Sequence, residues 1–113
     1  MADCIFCMLA NHEIPTSVVY EDDEMFCFKD AEPQAPVHVL LIPKKHIECI
    51  DDIKPEDAAL IGRMFLKIQD IARDLGLENG YRVVSNNGED AFQTVKHLYF
   101  HILGKRKMTW PPG

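Results

Sequence analysis

Apolar residues in this chain change their spacing from one segment to the next, and the spacing predicts the elements. Cys4 to Asn11 reads as a short helix or turn, ended by the polar stretch before Pro15. Ser17-Val18-Val19-Tyr20 and Met25-Phe26-Cys27-Phe28 have the β-branched and aromatic content of strands. The polar Glu21-Asp22-Asp23 between them predicts a hairpin. Asp30 to Pro36 carries Pro33 and Pro36, neither of which can donate to a ladder, so this stretch is a loop. Val37 to Ile42 is an apolar run of strand length that Pro43 interrupts.

The period then lengthens. Ile61, Met64, Phe65, Ile68, Ala72 and Leu75 recur at three- and four-residue spacing, which predicts a long helix whose apolar stripe, Met64 and Phe65 included, faces the core. Pro55 suits its first turn, Glu56 and Asp57 sit near the positive end of its dipole, and Gly76 is a natural stop. Gly62 inside the helix costs about 1 kcal/mol relative to Ala and is expected to mark close packing. Tyr81 to Ser85 reads as a strand, Asn86 to Asp90 as a loop, and Val95 to Leu103 as the last strand. Read with period two, that strand points Leu98, Phe100 and Ile102 to a core face and Val95, His97, Tyr99 and His101 to the other. The sum is an α+β fold in which a largely antiparallel sheet carries one long helix and a short N-terminal helix. With no internal repeat and a length of 113 residues, residues 1–113 are expected to form a single domain.

Composition narrows the function classes. Hydrophobic residues are 47% of the chain, enough for a packed core. With 12 Lys and Arg against 18 Asp and Glu, the net charge of -6 argues against general nucleic-acid binding but not against holding one nucleotide. No apolar run approaches the roughly 20 residues that span a bilayer, and Met1-Ala2-Asp3-Cys4 shows no secretory signal. A cytoplasmic protein is the expectation, with Cys4, Cys7, Cys27 and Cys49 reduced. Lys44-Lys45 and Lys105-Arg106-Lys107 read as solvated surface.

Chemistry concentrates on the last strand. Same-face groups two residues apart lie about 7 Å from one another, near the span of a phosphate and its ligands. Imidazoles there can donate to phosphoryl oxygens, ligate metal or carry protons. Asn86-Asn87-Gly88 offers amide donors beside a glycine, and Thr94 adds a hydroxyl.

The segment His97-Leu98-Tyr99-Phe100-His101-Ile102-Leu103-Gly104 resembles the signature of the histidine-triad (HIT) family. The resemblance extends to Glu21-Asp22-Asp23, Phe28-Lys29-Asp30, Pro33-Gln34-Ala35-Pro36, Ile42-Pro43-Lys44-Lys45-His46-Ile47, Gly80-Tyr81-Arg82 and the terminal Trp110-Pro111-Pro112-Gly113. These segments are similar to the histidine-triad nucleotide-binding (HINT) branch. What the resemblance implies is a homodimer whose two sheets join, binding purine mononucleotides such as AMP or GMP and hydrolysing nucleoside phosphoramidates. It implies that Asp30 accepts from the ribose hydroxyls, that Phe28 and Ile42 lie near the base, and that Asn86, Thr94 and His101 surround the α-phosphate. His38 would support the triad, and Trp110 would reach the partner subunit's site.

The middle triad position departs from the family. It is Tyr99, where the family has the imidazole that attacks phosphorus and forms a nucleotidyl-histidine intermediate. Imidazoles ordinarily titrate near 6.5 and are fair nucleophiles at neutral pH, whereas phenols ionise near 10 and need strong activation. The expectation is binding retained and turnover lost or very slow, with a non-catalytic nucleotide-binding or sensing module as the alternative.

Taken alone, Cys4-x-x-Cys7 is half a zinc site, a redox dithiol or a pair of buried thiols. The resemblance to bacterial members with this start implies that His46 and His97 complete a structural Cys₂His₂ zinc site, with no metal in the chemistry. Cys27 and Cys49 are expected to be packing residues.

Overall fold

The computed structural model describes residues 4–113; the charge pattern considered for the first residues lies outside them. Helix α1 (Ile5–Ala10) leads into a five-stranded antiparallel sheet of β1 (Val18–Glu21), β2 (Met25–Lys29), β3 (Val37–Pro43), β4 (Tyr81–Val84) and β5 (Phe100–Gly104). Helix α2 (Ala58–Asp74) falls between β3 and β4. The spatial order is β1-β2-β3-β5-β4, so β1 and β4 are edges and β3 sits at the centre.

Burial follows from this layering. Residues of β2 and β3 facing α2 (Met25, Cys27, Val39, Leu41) join Met64, Ile68, Ile71 and Ala72 in one core. Residues facing the opposite way (Phe26, Phe28, Leu40, Ile42) join Phe6, Leu9 and Ala10 of α1 in a second. Both faces of the central strands are covered, which is why they read as continuous apolar runs rather than alternating ones.

The ends of α2 follow elementary rules. A 3-10 turn, Pro55–Asp57, precedes it, and the Asp57 carboxylate accepts from the Lys54 N–H at 3.0 Å while pairing with Lys45. At the other end Gly76 takes φ +75. The Gly76 and Leu77 N–H groups then reach back to Arg73 and Ala72 carbonyls at 3.1 and 2.9 Å, the pattern that closes a helix on a left-handed glycine.

Four expectations are corrected. The last strand begins at Phe100, not Val95, because the backbone before it is claimed elsewhere. The Leu98 N–H donates to the Ile47 carbonyl at 2.6 Å, and the Tyr99 carbonyl accepts from the Ser85 hydroxyl at 3.0 Å. The inward-outward alternation nevertheless persists: Leu98, Phe100 and Ile102 enter the α2 core, and Tyr99 enters the α1 core. Phe65 is 48% exposed, its ring meeting Phe100 edge-on at the margin. Gly62 has open space around it, and the close approach falls at Gly104, where a Cβ would lie 2.6 Å from Leu77. Cys27 is buried as expected, but Cys49 is only partly buried and its thiol donates to Asp52 at 3.2 Å.

Candidate functional site

A cavity of about 520 Å³ opens between α1, the β2–β3 side of the sheet and the segment before β5. Its apolar wall is made by Phe6, Leu9, Phe28 and Leu40, and its polar end by Asp30, Thr94, Tyr99 and His101. The turn after β2 carries Asp30 into this position: the Asp30 N–H donates to the His38 carbonyl, and its carboxylate accepts from the Glu32 N–H at 2.8 Å.

Hydrogen bonds fix the tautomers at the polar end. The Gln34 N–H donates to Nδ1 of His38 at 3.0 Å. A backbone N–H can only donate, so in the neutral ring Nε2 of His38 carries the proton. That proton faces Nδ1 of His101 at 2.8 Å and the Asp30 carboxylate at 3.3 Å. Nδ1 of His101 is therefore the acceptor, and its Nε2–H is left as a donor for whatever occupies the cavity. Burial holds both imidazoles below their ordinary value, His38 against the pull of Asp30 and His101 with the help of His38, so both are neutral at pH 7.

Asp30, His38 and His101 bring their ligand atoms within 4.8 Å of one another. The Gln34 bond argues against a metal there. To ligate through Nε2, His38 would have to carry its proton on Nδ1, against the Gln34 N–H. The cluster is a hydrogen-bond chain.

Tyr99 is 4% exposed and lies beside this chain, its ring 5.2 Å from that of His101. Its hydroxyl lies 3.4 Å from the Thr94 hydroxyl and 3.5 Å from the Thr94 N–H. Among the described residues no carboxylate or imidazole is hydrogen-bonded to it.

The structure gathers Phe28, Asp30, Thr94, Tyr99 and His101 around one cavity and leaves three expected residues off its wall. Ile42 is fully buried in the cluster beneath α1. Asn86 lies in the loop after β4 and donates to the Phe92 carbonyl at 3.4 Å. Trp110 is 81% exposed on a tail that Arg82 anchors through the Thr109 carbonyl. The row His97, Tyr99, His101 is also less open than an exposed strand face would be, because α1 covers His97 and Tyr99. Conversely, Phe6, Leu9 and Leu40 form much of the wall without having been singled out. The signal for the first two is the Phe6, Leu9, Ala10 spacing, one apolar stripe on a short helix.

Cys4, Cys7, His46 and His97 form a second cluster, with ligand atoms all within 4.8 Å, that can hold a metal ion. Cys4 Sγ lies 3.4 Å from His97 Nδ1, and Cys7 Sγ lies 3.3 Å from His46 Nδ1 and 3.6 Å from His97 Nδ1. Two ligands at Zn–S and Zn–N bond lengths on a tetrahedron would be about 3.5 Å apart. His97 is fully buried, and its Nε2 is 2.8 Å from the Pro43 carbonyl. A carbonyl only accepts, so Nε2 carries the proton and the Nδ1 lone pair is turned toward the sulfurs, as in metal-ligating histidines. Burial and the adjacent Cys4 sulfur push the Cys7 thiol up, and burial lowers the His97 imidazole. The donor set, spacing and tautomer all fit a four-coordinate ion. In the basic cluster Lys105-Arg106-Lys107, Arg106 donates to the Gln34 carbonyl at 2.8 Å.

Comparison with known proteins gives a consistent assignment. The HIT domain family model matches residues 11–108. An uncharacterized HIT-like protein of Synechocystis is 52% identical over 111 residues, covering 98% of this chain and 97% of that protein. Protein HitA of Neisseria gonorrhoeae is 48% identical over 104 residues, covering 92% and 97%. Among solved structures, a HIT family hydrolase from Legionella pneumophila superposes with a TM-score of 0.96 at 46% identity, covering 98% of this chain and 100% of that one. A histidine triad protein from Clostridium difficile gives 0.93 at 43% identity, with 96% of each chain covered.

Proposed function

The chain belongs to the HIT domain family, and from that premise we propose that its cavity binds purine nucleoside monophosphates such as AMP or GMP and that Tyr99 makes phosphoramidate turnover very slow. The observation that carries the binding half is the chain Gln34–His38–His101, which leaves a neutral His101 presenting Nε2–H as a donor at the polar end of an apolar cavity. The base lies against Phe28 on the apolar wall, Asp30 accepts from the ribose diol, and His101 and Thr94 donate to phosphate oxygens. Asn86 and Trp110 reach the ligand only by moving: Asn86 by exchanging the Phe92 carbonyl for phosphate, Trp110 from a partner subunit.

The catalytic half rests on Tyr99. A phenol that is to attack phosphorus must lose its proton to something, and the groups at its hydroxyl are the Thr94 hydroxyl and N–H, neither of them a base. The same observation favours the second reading, a nucleotide-binding or sensing module with no turnover.

We assign zinc to Cys4, Cys7, His46 and His97. With four protein ligands no coordination position is left for substrate, so the ion neutralises the thiolates and braces the fold. His97, committed to it, takes no part as a free acid or base. Two zinc thiolates and the thiols Cys27 and Cys49, none of them in a disulfide, suit a reducing cytoplasm, and no described helix is long and apolar enough to cross a membrane. A homodimer joined across the outer edge of β4 accounts for exposed apolar side chains there and on α2, with Tyr81 at 40%, Phe65 at 48% and Leu66 at 63%.

Calorimetry with AMP tests the binding half. We expect micromolar affinity, with Asp30→Ala weakening AMP about tenfold and leaving the weaker 2′,3′-dideoxy analogue nearly unchanged. No heat of binding at millimolar AMP overturns the reading.

A further inference from the structure

Helix α1 serves two sites at once. Isolated helices need about 12–15 residues to persist in water, and α1 has 6, so its place depends on what it packs against. Cys4 caps it and Cys7 lies within it, and these supply the two sulfurs of the metal cluster. Among the described residues, every side-chain hydrogen bond from Cys4 through Ala10 to the rest of the fold runs through those two sulfurs.

The adjacent face of the same helix is the cavity wall. Phe6, next to Cys7 in the chain and about 100° round the helix from it, meets three rings edge-on. Its centroid is 5.1 Å from Tyr99, 5.5 Å from Phe28 and 6.0 Å from His97. Leu9 continues this wall. His97 closes the loop from the other side, being a member of the metal cluster two residues before Tyr99.

We infer that metal binding at Cys4, Cys7, His46 and His97 and ligand binding in the cavity are a single linked equilibrium, carried by α1 through Phe6. The nucleotide arm rests on the reading of the cavity given above. Without a cation, α1 is held by apolar contacts and weak sulfur–imidazole contacts, and a ligand entering the cavity must order the wall it binds. With the cation bound, the helix is fixed at Cys4 and Cys7 and the aromatic wall is already in place. A ligand that prefers the ordered wall then tightens the metal by the factor by which the metal tightens the ligand.

The test uses the full chain, zinc-loaded and chelator-stripped, with far-UV circular dichroism confirming that the stripped protein keeps its main core. AMP affinity by calorimetry is expected to fall about tenfold on stripping. Zinc affinity by chelator competition is expected to rise by that same factor when AMP is saturating. Phe6→Ala should keep one zinc per chain and shrink both factors below about twofold. AMP binding equally well to both forms overturns the linkage while leaving the nucleotide site standing. AMP binding to neither form overturns the nucleotide site, and the ring resonances of the cavity wall then decide whether the metal orders it through α1. Proton resonances of the Phe28 and Tyr99 rings shift on stripping if α1 carries the coupling, and unchanged resonances refute it. Global unfolding of the stripped chain also refutes a coupling confined to α1.

Discussion

Nε2 of His38 lies 2.8 Å from Nδ1 of His101, and the Gln34 N–H at the far side of the His38 ring decides which of the two owns the proton. The pair presents a defined donor to the cavity without either ring being charged. Removing His38 leaves Nδ1 of His101 without its donor and frees the ring to choose its tautomer. His38→Ala should therefore weaken AMP about tenfold in calorimetry, roughly the 1.4 kcal/mol of one hydrogen bond to a charged group. Unchanged affinity would mean that His101 does not touch the phosphate.

The same two imidazoles give stability a pH dependence. Burial lowers both below 6.5 in the fold, whereas in the unfolded chain they titrate at about 6.5. Between those values the unfolded state binds more protons, so stability rises with pH. It is full above about 6.5 and declines as pH falls toward the folded values. Paired carboxylates such as Glu21, Glu24 and Asp57 are held below their ordinary values of 4.5, 4.5 and 3.8, so their contribution is lost in a separate, more acid window. The urea midpoint of the zinc-loaded protein should be lower at pH about 5.5 than at about 7.5, and a His38→Gln/His101→Gln variant should flatten the slope. A midpoint independent of pH over that range would contradict the assignment.

Gly104 offers a test of the core alone. A Cβ there would lie 2.6 Å from Leu77 Cδ2, so Gly104→Ala should cost about 1–3 kcal/mol of overpacking and lower Tm. Leu77→Ala in the same chain should make the added methyl harmless. A Gly104→Ala protein as stable as the parent would place Leu77 elsewhere.

How much of this was legible beforehand follows from where each contact comes from. Strands β2 and β3 and helix α2 declare themselves because their patterns are local and long: Met25 to Lys29, Val37 to Pro43, and the Met64, Ile68, Ala72 spacing. The start of β5 does not, because the Leu98 N–H is taken by Ile47, a partner fixed only by the tertiary fold. Phe65 carries the same apolar signature as Met64 but lies at the margin of the sheet, where no pattern distinguishes the two. Asp30, Thr94 and His101, which the sequence singles out, all lie on the cavity wall. Leu40 lines it where the sequence points to Ile42, two positions along the same strand, because alternation sets the face and not the depth. The wall made by Phe6 and Leu9 shows only as the Phe6, Leu9, Ala10 spacing of one short helix, which marks an apolar stripe without saying what it faces.

Zinc can be counted directly. Protein purified without chelator should carry about one zinc per chain, and Cys7→Ser or His46→Ala should bring this close to zero and lower Tm. Less than about half an equivalent in the parent protein would refute the Cys₂His₂ assignment.

The most direct measurement compares hydrolysis of adenosine 5′-phosphoramidate by the parent chain and by Tyr99→His, at matched zinc content and with AMP affinity measured for both. Similar AMP affinity is expected, with turnover at least ~10³-fold faster in Tyr99→His, the scale on which losing a nucleophile is felt. Parent turnover within about tenfold of the variant would contradict it, since it would mean that the phenol, or another group in this cavity, attacks phosphorus after all.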